Sequence, residues 1–177
     1  WFRPVCNAWD TMIEIDIKKE YLKTSLNRVS NINVKNNSPS KFGYENKRIY
    51  EGYIGEELVK DFLNINLISD TYNYDLLSNK GKKLEVKTVS CKFKPKTNYL
   101  CTVNCHSPKE KNIQNADYYI FVRIRNDYKV GWVLGWIGCN EFYQKGNFIE
   151  KGKDFGNFKF TKANATVLEI KNLYKFE

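Results

Sequence analysis

The sequence predicts an α/β domain in which helices precede a group of strands. Apolar residues recur at helical spacing in two early segments, and short alternating segments follow them. Two later segments are nearly continuous apolar runs, as in strands that are buried on both faces. A chain of 177 residues, 42% of them hydrophobic and 15% aromatic, can bury one sizeable core. This order of elements is typical of one α/β domain.

Two helices are expected in the first third of the chain. Helical spacing of apolar residues predicts the first over residues 16–29, with Asp16 placed to cap it. Residues 31–44 are rich in Asn, Ser and Lys and indicate a loop. The second helix is expected over residues 51–63.

Residues 1–11 are expected to lie outside this fold. Met12 is the only methionine and the regular pattern begins just after it, so residues 1–11 are interpreted as upstream sequence or an expression remnant. One domain is then expected over residues 12–177.

Five cysteines, an odd number, without a secretory signal favour free thiols in a reducing compartment. Because no apolar run approaches the roughly 20 residues of a membrane span, we expect a cytoplasmic protein without a membrane partner.

Strands are expected after the second helix. Residues 84–89 and 99–105 alternate in character, and residues 78–81 supply turn chemistry before the first of them. The apolar runs at residues 118–124 and 130–137 are expected to pair across a turn at Asn126-Asp127. Weaker strand candidates are residues 65–69, 74–77, 158–160 and 167–170, and Asn140 is placed to cap a short helix that ends at Tyr143.

The charge of the chain predicts a polyanionic partner. The formal net charge is +9, and a basic domain of this size often binds nucleic acid. Seven lysines and one glutamate lie between residues 80 and 96, so about two thirds of the net charge falls in one short stretch. The alternative is that these lysines lie on a solvated hairpin and contact no phosphate. The candidate phosphate contacts are Lys82, Lys83, Lys92, Lys94 and Lys96.

One group of residues in this stretch can carry chemistry. Nine residues lie between Asp75 and the sequence Glu85-Val86-Lys87. Glu85 and Lys87 are two apart on a predicted strand and therefore share a face, and the hairpin turn brings Asp75 alongside. Carboxylate oxygens hold Mg²⁺, which activates water and stabilises charge on a phosphate. We expect Asp75, Glu85 and the Val86 carbonyl to bind the metal, and Lys87 to orient or help deprotonate the attacking water.

Three motifs stand in order over residues 51–92: Gly52-x-x-Gly55-Glu56-x-x-Val59, Tyr74-Asp75-Leu76-Leu77 and Leu84-Glu85-Val86-Lys87-Thr88. Together they resemble the PD-(D/E)xK, or restriction-endonuclease-like, nuclease superfamily. Tyr74 stands where the superfamily's proline precedes the aspartate. Residues 116–122 and 135–137 are similar to strands in stand-alone nucleases of phages and mobile elements.

The resemblance implies a mixed central β-sheet flanked by helices and Mg²⁺-dependent DNA endonuclease activity, with Mn²⁺ as a substitute metal. It also implies that Glu56 is the helix carboxylate of the site. On a helical wheel Glu56 lies at the edge of the apolar stripe, whereas Glu57 is expected to point more towards solvent. The implied enzyme is phage or mobile-element encoded in a bacterial host, with a homing, restriction-like or junction-resolving role. Cutting two strands favours a homodimer.

Two alternatives stay open at this point. A non-catalytic DNA-binding module on the same fold would have lost an active-site residue, and an RNA-directed enzyme would cleave RNA preferentially. Zinc is disfavoured because Cys101, Cys105 and His106 lack knuckle spacing, and Cys101 and Cys105 fit buried strand positions better. Trp132 and Trp136 are expected to pack in the core rather than stack on bases.

Overall fold

The described part of the chain begins with a strand and two helices and continues mainly in strands. A computed structural model describes residues 12–35, 44–65, 67–71, 74–104, 115–155, 158–159 and 163–176, so the expectation for residues 1–11 lies outside the described residues. In chain order the elements are β1 (Ile13–Asp16), α1 (Lys19–Lys35), α2 (Tyr44–Phe62), β2 (Leu67–Thr71), β3 (Tyr74–Leu77), β4 (Lys83–Cys91), β5 (Leu100–Asn104), β6 (Tyr118–Arg125), β7 (Val130–Gly138), α3 (Cys139–Lys145), β8 (Asn147–Ile149), β9 (Asp154–Phe155), β10 (Phe158–Lys159) and β11 (Ala165–Glu169).

A six-stranded mixed sheet lies at the centre of the fold, with the strand order β1-β7-β6-β4-β3-β2. Its neighbouring strands pair antiparallel except β4 and β6, which are parallel. The predicted pairing of β6 with β7 across the Asn126-Asp127 turn is confirmed. The prediction of a mixed α/β architecture is confirmed as well. None of the helices in the described ranges is long and apolar enough to cross a membrane.

A second, three-stranded sheet has the order β5-β11-β8 and is antiparallel throughout. The strand expected over residues 99–105 therefore forms, but it joins β11 instead of the central sheet. In its register Thr102 faces Val167, far along the chain. Local alternation of apolar residues predicts a strand without indicating its partner, because pairing is decided by contacts distant in sequence.

Alternation along β6 divides the interior into two apolar clusters. Ile120 and Val122 face the cluster that α2 covers, where Ile54 and Leu58 are fully buried. The intervening Tyr119 and Phe121 face the second cluster, which the second sheet and α3 cover. A strand buried on both faces gives the continuous apolar run seen in the sequence. The second cluster is completed mainly by Cys101, Val103, Leu134, Ile137, Phe142, Leu168 and Ile170.

Strand β7 contributes a tryptophan to each cluster because it contains a bulge. Trp132 faces the second cluster and Trp136 the first, and both are buried, which confirms their expected place in the core. The register with β6 shifts beside Gly135, whose φ is +145°. A side chain there would overlap the Tyr174 carbonyl oxygen, so only glycine fits this position.

The first helix begins later than the sequence indicated, and the prediction that Asp16 caps it is wrong. Asp16 belongs to β1, where its register partner is Val130, and α1 begins at Lys19. The second helix begins at Tyr44, within the segment predicted to be a loop. Gly138, and not Asn140, precedes the first residue of α3. These differences fall at element ends, where tertiary pairing overrides local signals.

Gly55 lets α2 approach β4 closely, and this contact gives a first prediction. A Cβ at Gly55 would overlap Thr88 Oγ1 and lie 2.9 Å from Thr88 Cβ. We expect Gly55→Ala to lower the free energy of unfolding by about 1–3 kcal/mol, because the helix or the strand must shift. Urea denaturation measures the change.

Gly52 provides the matched control on the same helix, since a Cβ there meets nothing within 4 Å. Gly52→Ala is expected to stabilise the protein by about 0.5–1 kcal/mol through the higher helix propensity of alanine. Adding Thr88→Ala to Gly55→Ala should restore part of the lost stability. Equal effects of the two glycine substitutions would contradict the close contact.

Candidate active site

Strands β3 and β4 part at the position of the predicted acids. Their register pairs end at Leu76 and Leu84. At the next position Asp75 Oδ2 accepts a hydrogen bond from the backbone N–H of Val86 at 2.7 Å. The Asp75 carboxylate therefore takes the place of a strand partner through one of its two oxygens.

Val86 brings a backbone acceptor to the same place. The N–H and C=O of one strand residue point to the same edge of the strand. Because the Val86 N–H points to Asp75, the Val86 carbonyl oxygen faces that edge too. The side chain of Val86 is buried in the first apolar cluster, which fixes the backbone orientation. The predicted carboxylate of Asp75 and carbonyl of Val86 thus lie on one side of β4.

Glu85 and Lys87 lie on the face of β4 that points away from α2, and they form an ion pair. Lys87 Nζ donates to Glu85 Oε1 at 2.6 Å. Glu85 is buried, whereas the Lys87 side chain keeps 23% of its exposure. Lys87 Nζ also lies 5.8 Å from the centroid of the Tyr119 ring. Burial raises the pKa of Tyr119 well above its ordinary value, so the phenol stays neutral and its ring can attract the lysine through a cation–π interaction.

Glu56 reaches the site from α2 together with an arginine that sequence reasoning missed. Arg28 of α1 donates from Nη1 to Glu56 Oε2 at 2.7 Å, and its guanidinium lies 3.7 Å from the centroid of the Tyr53 ring. Arg28 is the only arginine of α1. That was the one available signal, since an arginine suits a buried carboxylate better than lysine does.

The expectation that Glu57 points more towards solvent than Glu56 is wrong. Both side chains are buried, at 6% and 7% exposure. Helix α1 packs on this side of α2, and Arg28 Nη1 lies 4.0 Å from Glu57 Oε1. A helical wheel treats α2 as covered on one side only, whereas the sheet and α1 cover it on two.

The electrostatics join these acids into one group although they come from three elements. Burial, together with the charge of Asp75, raises the pKa of Glu56 to about 8, and Arg28 opposes the shift. Burial and the charge of Glu85 raise the pKa of Asp75 to about 6, against the Val86 hydrogen bond and Lys87. Clustered carboxylates with raised pKa values are frequent at functional sites and favour a bound cation or proton.

The donors present are of the kind that Mg²⁺ prefers. In the part of the chain that the structure describes, no three acidic, histidine or cysteine side chains are arranged to hold a metal ion. Mg²⁺, however, is usually held by one or two carboxylates and keeps several waters. Asp75, Glu85 and the Val86 carbonyl fit that lower requirement. Glu56 forms an ion pair with Arg28 and is therefore not counted among these donors.

The predicted phosphate-binding lysines fall into two groups at the ends of β4. Lys82 is exposed at the hairpin, whereas Lys83 is half-buried with Nζ 5.6 Å from the Tyr74 ring centroid. The exposed lysines at positions 92, 94 and 96 follow the other end. At roughly 3.3 Å per strand residue, Lys83 lies about 13 Å from Lys87, and Lys82 and Lys92 each lie about 16 Å from it. The positive charges therefore flank the acids instead of lying among them.

The cysteines described do not form disulfides. Cys91, Cys101 and Cys139 are free thiols, and Cys101 is buried in the second apolar cluster as expected. Burial raises the pKa of Cys101 to about 12, so this thiol stays protonated and unreactive. The remaining residues of the weighed zinc pattern, Cys105 and His106, lie outside the described residues.

Comparison with known proteins gives the sequence no family. No protein-family model matches it, and no curated protein matches it.

Proposed function

We propose that this protein is a Mg²⁺-dependent DNA endonuclease with the restriction-endonuclease-like fold, which hydrolyses phosphodiester bonds. The observation that carries the proposal is that Asp75 is hydrogen-bonded to the residue between Glu85 and Lys87, where β3 and β4 part, and that the charges of both act on its carboxylate. The raised pKa values of Asp75 and Glu56 support it, because buried like charges are costly unless they serve a ligand. The lysines at both ends of β4 supply the charge for a DNA backbone.

In this proposal Asp75, Glu85 and the Val86 carbonyl hold Mg²⁺, or Mn²⁺ in its place. The bound ion supplies Lewis acidity and a water of lowered pKa. Asp75 is held in place by the Val86 N–H, which fixes the direction of its free oxygen. Glu56 and Arg28 act as positioning residues, because their ion pair holds the Glu56 carboxylate in place on α2.

Lys87 is the residue that meets the substrate. Its ammonium group is partly exposed and is held by Glu85 and the Tyr119 ring. A lysine at this place can orient the attacking water and stabilise charge that develops on the phosphate. The exposed lysines at positions 82, 92, 94 and 96 contact phosphates on either side of the cut, whereas Lys83 is half-buried and contributes less.

Cleavage of supercoiled plasmid with and without Mg²⁺ is the experiment that tests this function. We expect nicked or linear DNA with Mg²⁺ or Mn²⁺ and none in EDTA. Linear product without accumulated nicked circles would indicate two sites that act together, as in the homodimer we propose. Branched DNA, single-stranded DNA and RNA complete the panel.

Two results would replace the proposal. Binding of DNA without cleavage of any substrate would favour a non-catalytic DNA-binding module on the same fold. Preferential cleavage of RNA would favour an RNA-directed enzyme. The plasmid product pattern and the RNA arm thus distinguish the three functions in one set of reactions.

A further inference from the structure

We propose that Phe93 stacks on an unpaired nucleobase of the bound DNA, so that the protein prefers DNA with gaps, branches or single-stranded segments. This inference rests on the proposed nucleic-acid function and extends it to the kind of DNA recognised. It is carried by the exposure of Phe93, by the anchoring of its loop, and by its position between lysines at the end of the strand that bears Glu85 and Lys87.

Phe93 is the most exposed large hydrophobic residue in the described ranges, at 73%. The others with substantial exposure are Val89 at 46%, Leu26 at 42% and Ile49 at 37%. A single exposed hydrophobic residue is common in proteins and needs no partner. A binding role for Phe93 therefore depends on how its loop is held and on which residues surround it.

The loop that carries Phe93 is fastened on both sides. Before it, the Asn126 N–H donates to the Cys91 carbonyl at 3.0 Å. After it, the Lys171 N–H donates to the Thr97 carbonyl at 2.9 Å. The intervening proline at position 95 is buried. The phenyl ring therefore projects from an anchored loop, which lowers the entropic cost of using it as a binding contact.

The neighbours of Phe93 suit a nucleic-acid strand. Lys92, Lys94 and Lys96 are all exposed, so the ring stands within a short positive segment. Nucleic-acid-binding surfaces combine such charges with aromatic rings on which bases stack. Paired bases in a duplex are already stacked on one another, whereas an unpaired base is available to a protein ring. This chemistry favours DNA with unpaired bases.

The distance to the site also fits DNA. Phe93 is six positions after Lys87, and four of the five residues between them belong to β4. At roughly 3.3 Å per strand residue, the Cα atoms of Phe93 and Lys87 are at most about 20 Å apart. Bases are about 3.4 Å apart along one strand of B-DNA. A base on Phe93 would therefore lie within about six nucleotides of the phosphate at the site.

A basic loop with an exposed aromatic ring can also bind an anionic membrane surface. DNA is favoured here because the same strand holds Glu85 and Lys87, which in the proposed function serve phosphodiester chemistry and have no use at a lipid surface. Binding to an anionic membrane is therefore measured as one arm of the test.

The test measures binding by fluorescence anisotropy in EDTA, so that no cleavage occurs. The probes are a fully paired duplex, the same duplex with a short central gap, and single-stranded DNA, with phosphatidylserine vesicles as a further arm. We expect Phe93→Ala to weaken binding to gapped and single-stranded DNA by roughly tenfold, and binding to paired duplex by less than about twofold. Phe93→Tyr should bind like the native chain, as should Ile49→Ala, the matched exposed control on α2.

Three results would overturn the inference: unchanged binding of gapped DNA by Phe93→Ala, an equal loss on paired and gapped DNA, or a loss on vesicles alone. Because the ring is exposed, Phe93→Ala is expected to keep the native far-UV circular dichroism spectrum. The binding assay is also independent of the plasmid assay. A selective loss of binding without any cleavage would support the stacking role and reject the nuclease, and cleavage without the selective loss would do the reverse.

Discussion

Asp75→Asn is expected to abolish DNA cleavage while leaving the metal-free protein at least as stable as the native chain. The asparagine carbonyl can still accept the hydrogen bond from the Val86 N–H, so the separated strands keep their contact. What disappears is a buried negative charge that burial and Glu85 disfavour. We expect the cleavage rate to fall about a thousandfold or more, since the proposed metal loses a ligand.

Lys87→Met tests the second half of the same centre. Methionine keeps much of the apolar stem above Tyr119 and removes the ammonium group. The expected loss of rate is about 10²–10⁴-fold, the range for a group that assists proton transfer. DNA binding should change little, because the exposed lysines at positions 82, 92, 94 and 96 remain. Stability should fall in this variant, since Glu85 loses its cation.

The controls and the opposite stability changes separate a lost function from a lost fold. Asp154→Asn and Lys153→Ala change exposed residues of the same types, and both should cleave at the native rate. Plasmid cleavage gives the rate, and thermal unfolding in EDTA gives the stability. A folded Asp75→Asn or Lys87→Met protein that binds DNA and cleaves like the native chain would remove that residue from the proposed centre.

The parts of the fold that the sequence predicted best are those that local pattern determines. Strands β3, β4, β6 and β7 lie close to their expected bounds, because alternation, turn residues and apolar runs are properties of neighbouring positions. The same locality places Glu85 and Lys87 on one face. The hairpin then suffices to predict that Asp75 lies nearby, which its hydrogen bond to Val86 bears out.

The parts that the sequence left open depend on contacts between distant residues. Strand β1 pairs with β7, which lies more than a hundred positions later, so its four residues alone did not predict a strand. Arg28 and Glu57 meet only because α1 packs on α2. The exposure of Phe93 also required the structure, since a phenylalanine in a sequence is expected to be buried. No periodicity in one segment encodes these relations.

The stability of the metal-free protein is expected to fall as pH rises from about 5 to about 8. Glu56 and Asp75 have folded-state pKa values raised to about 8 and about 6, mainly by burial. In the unfolded chain both carboxyls release their protons near pH 4, as ordinary carboxyls do. The folded state therefore binds more protons across this range, and its advantage is lost as pH passes through the folded pKa values.

The expected loss is on the order of 5 kcal/mol in the free energy of unfolding, because one retained proton corresponds to about 1.4 kcal/mol per pH unit, and Glu56 keeps its proton over nearly three units and Asp75 over about one. Urea denaturation in EDTA at several pH values measures it. Glu56→Gln and Asp75→Asn should each flatten the profile, since neither amide titrates. The difference between native and variant profiles removes the contribution of His106, the only histidine of the chain. A native profile parallel to those of both variants would contradict the raised pKa values.

Mg²⁺ is expected to reverse this loss, and the size of the reversal should itself depend on pH. An ion that binds only the folded state stabilises it by mass action, and at low pH it must displace the protons that the carboxyls hold. The rise in melting temperature on adding Mg²⁺ should therefore be larger near pH 8 than near pH 5, and absent in Asp75→Asn. An equal rise at both pH values, or one that Asp75→Asn keeps, would place the ion elsewhere on the protein. A pH-dependent rise that requires Asp75 would instead tie the buried acids to a metal before any cleavage is measured.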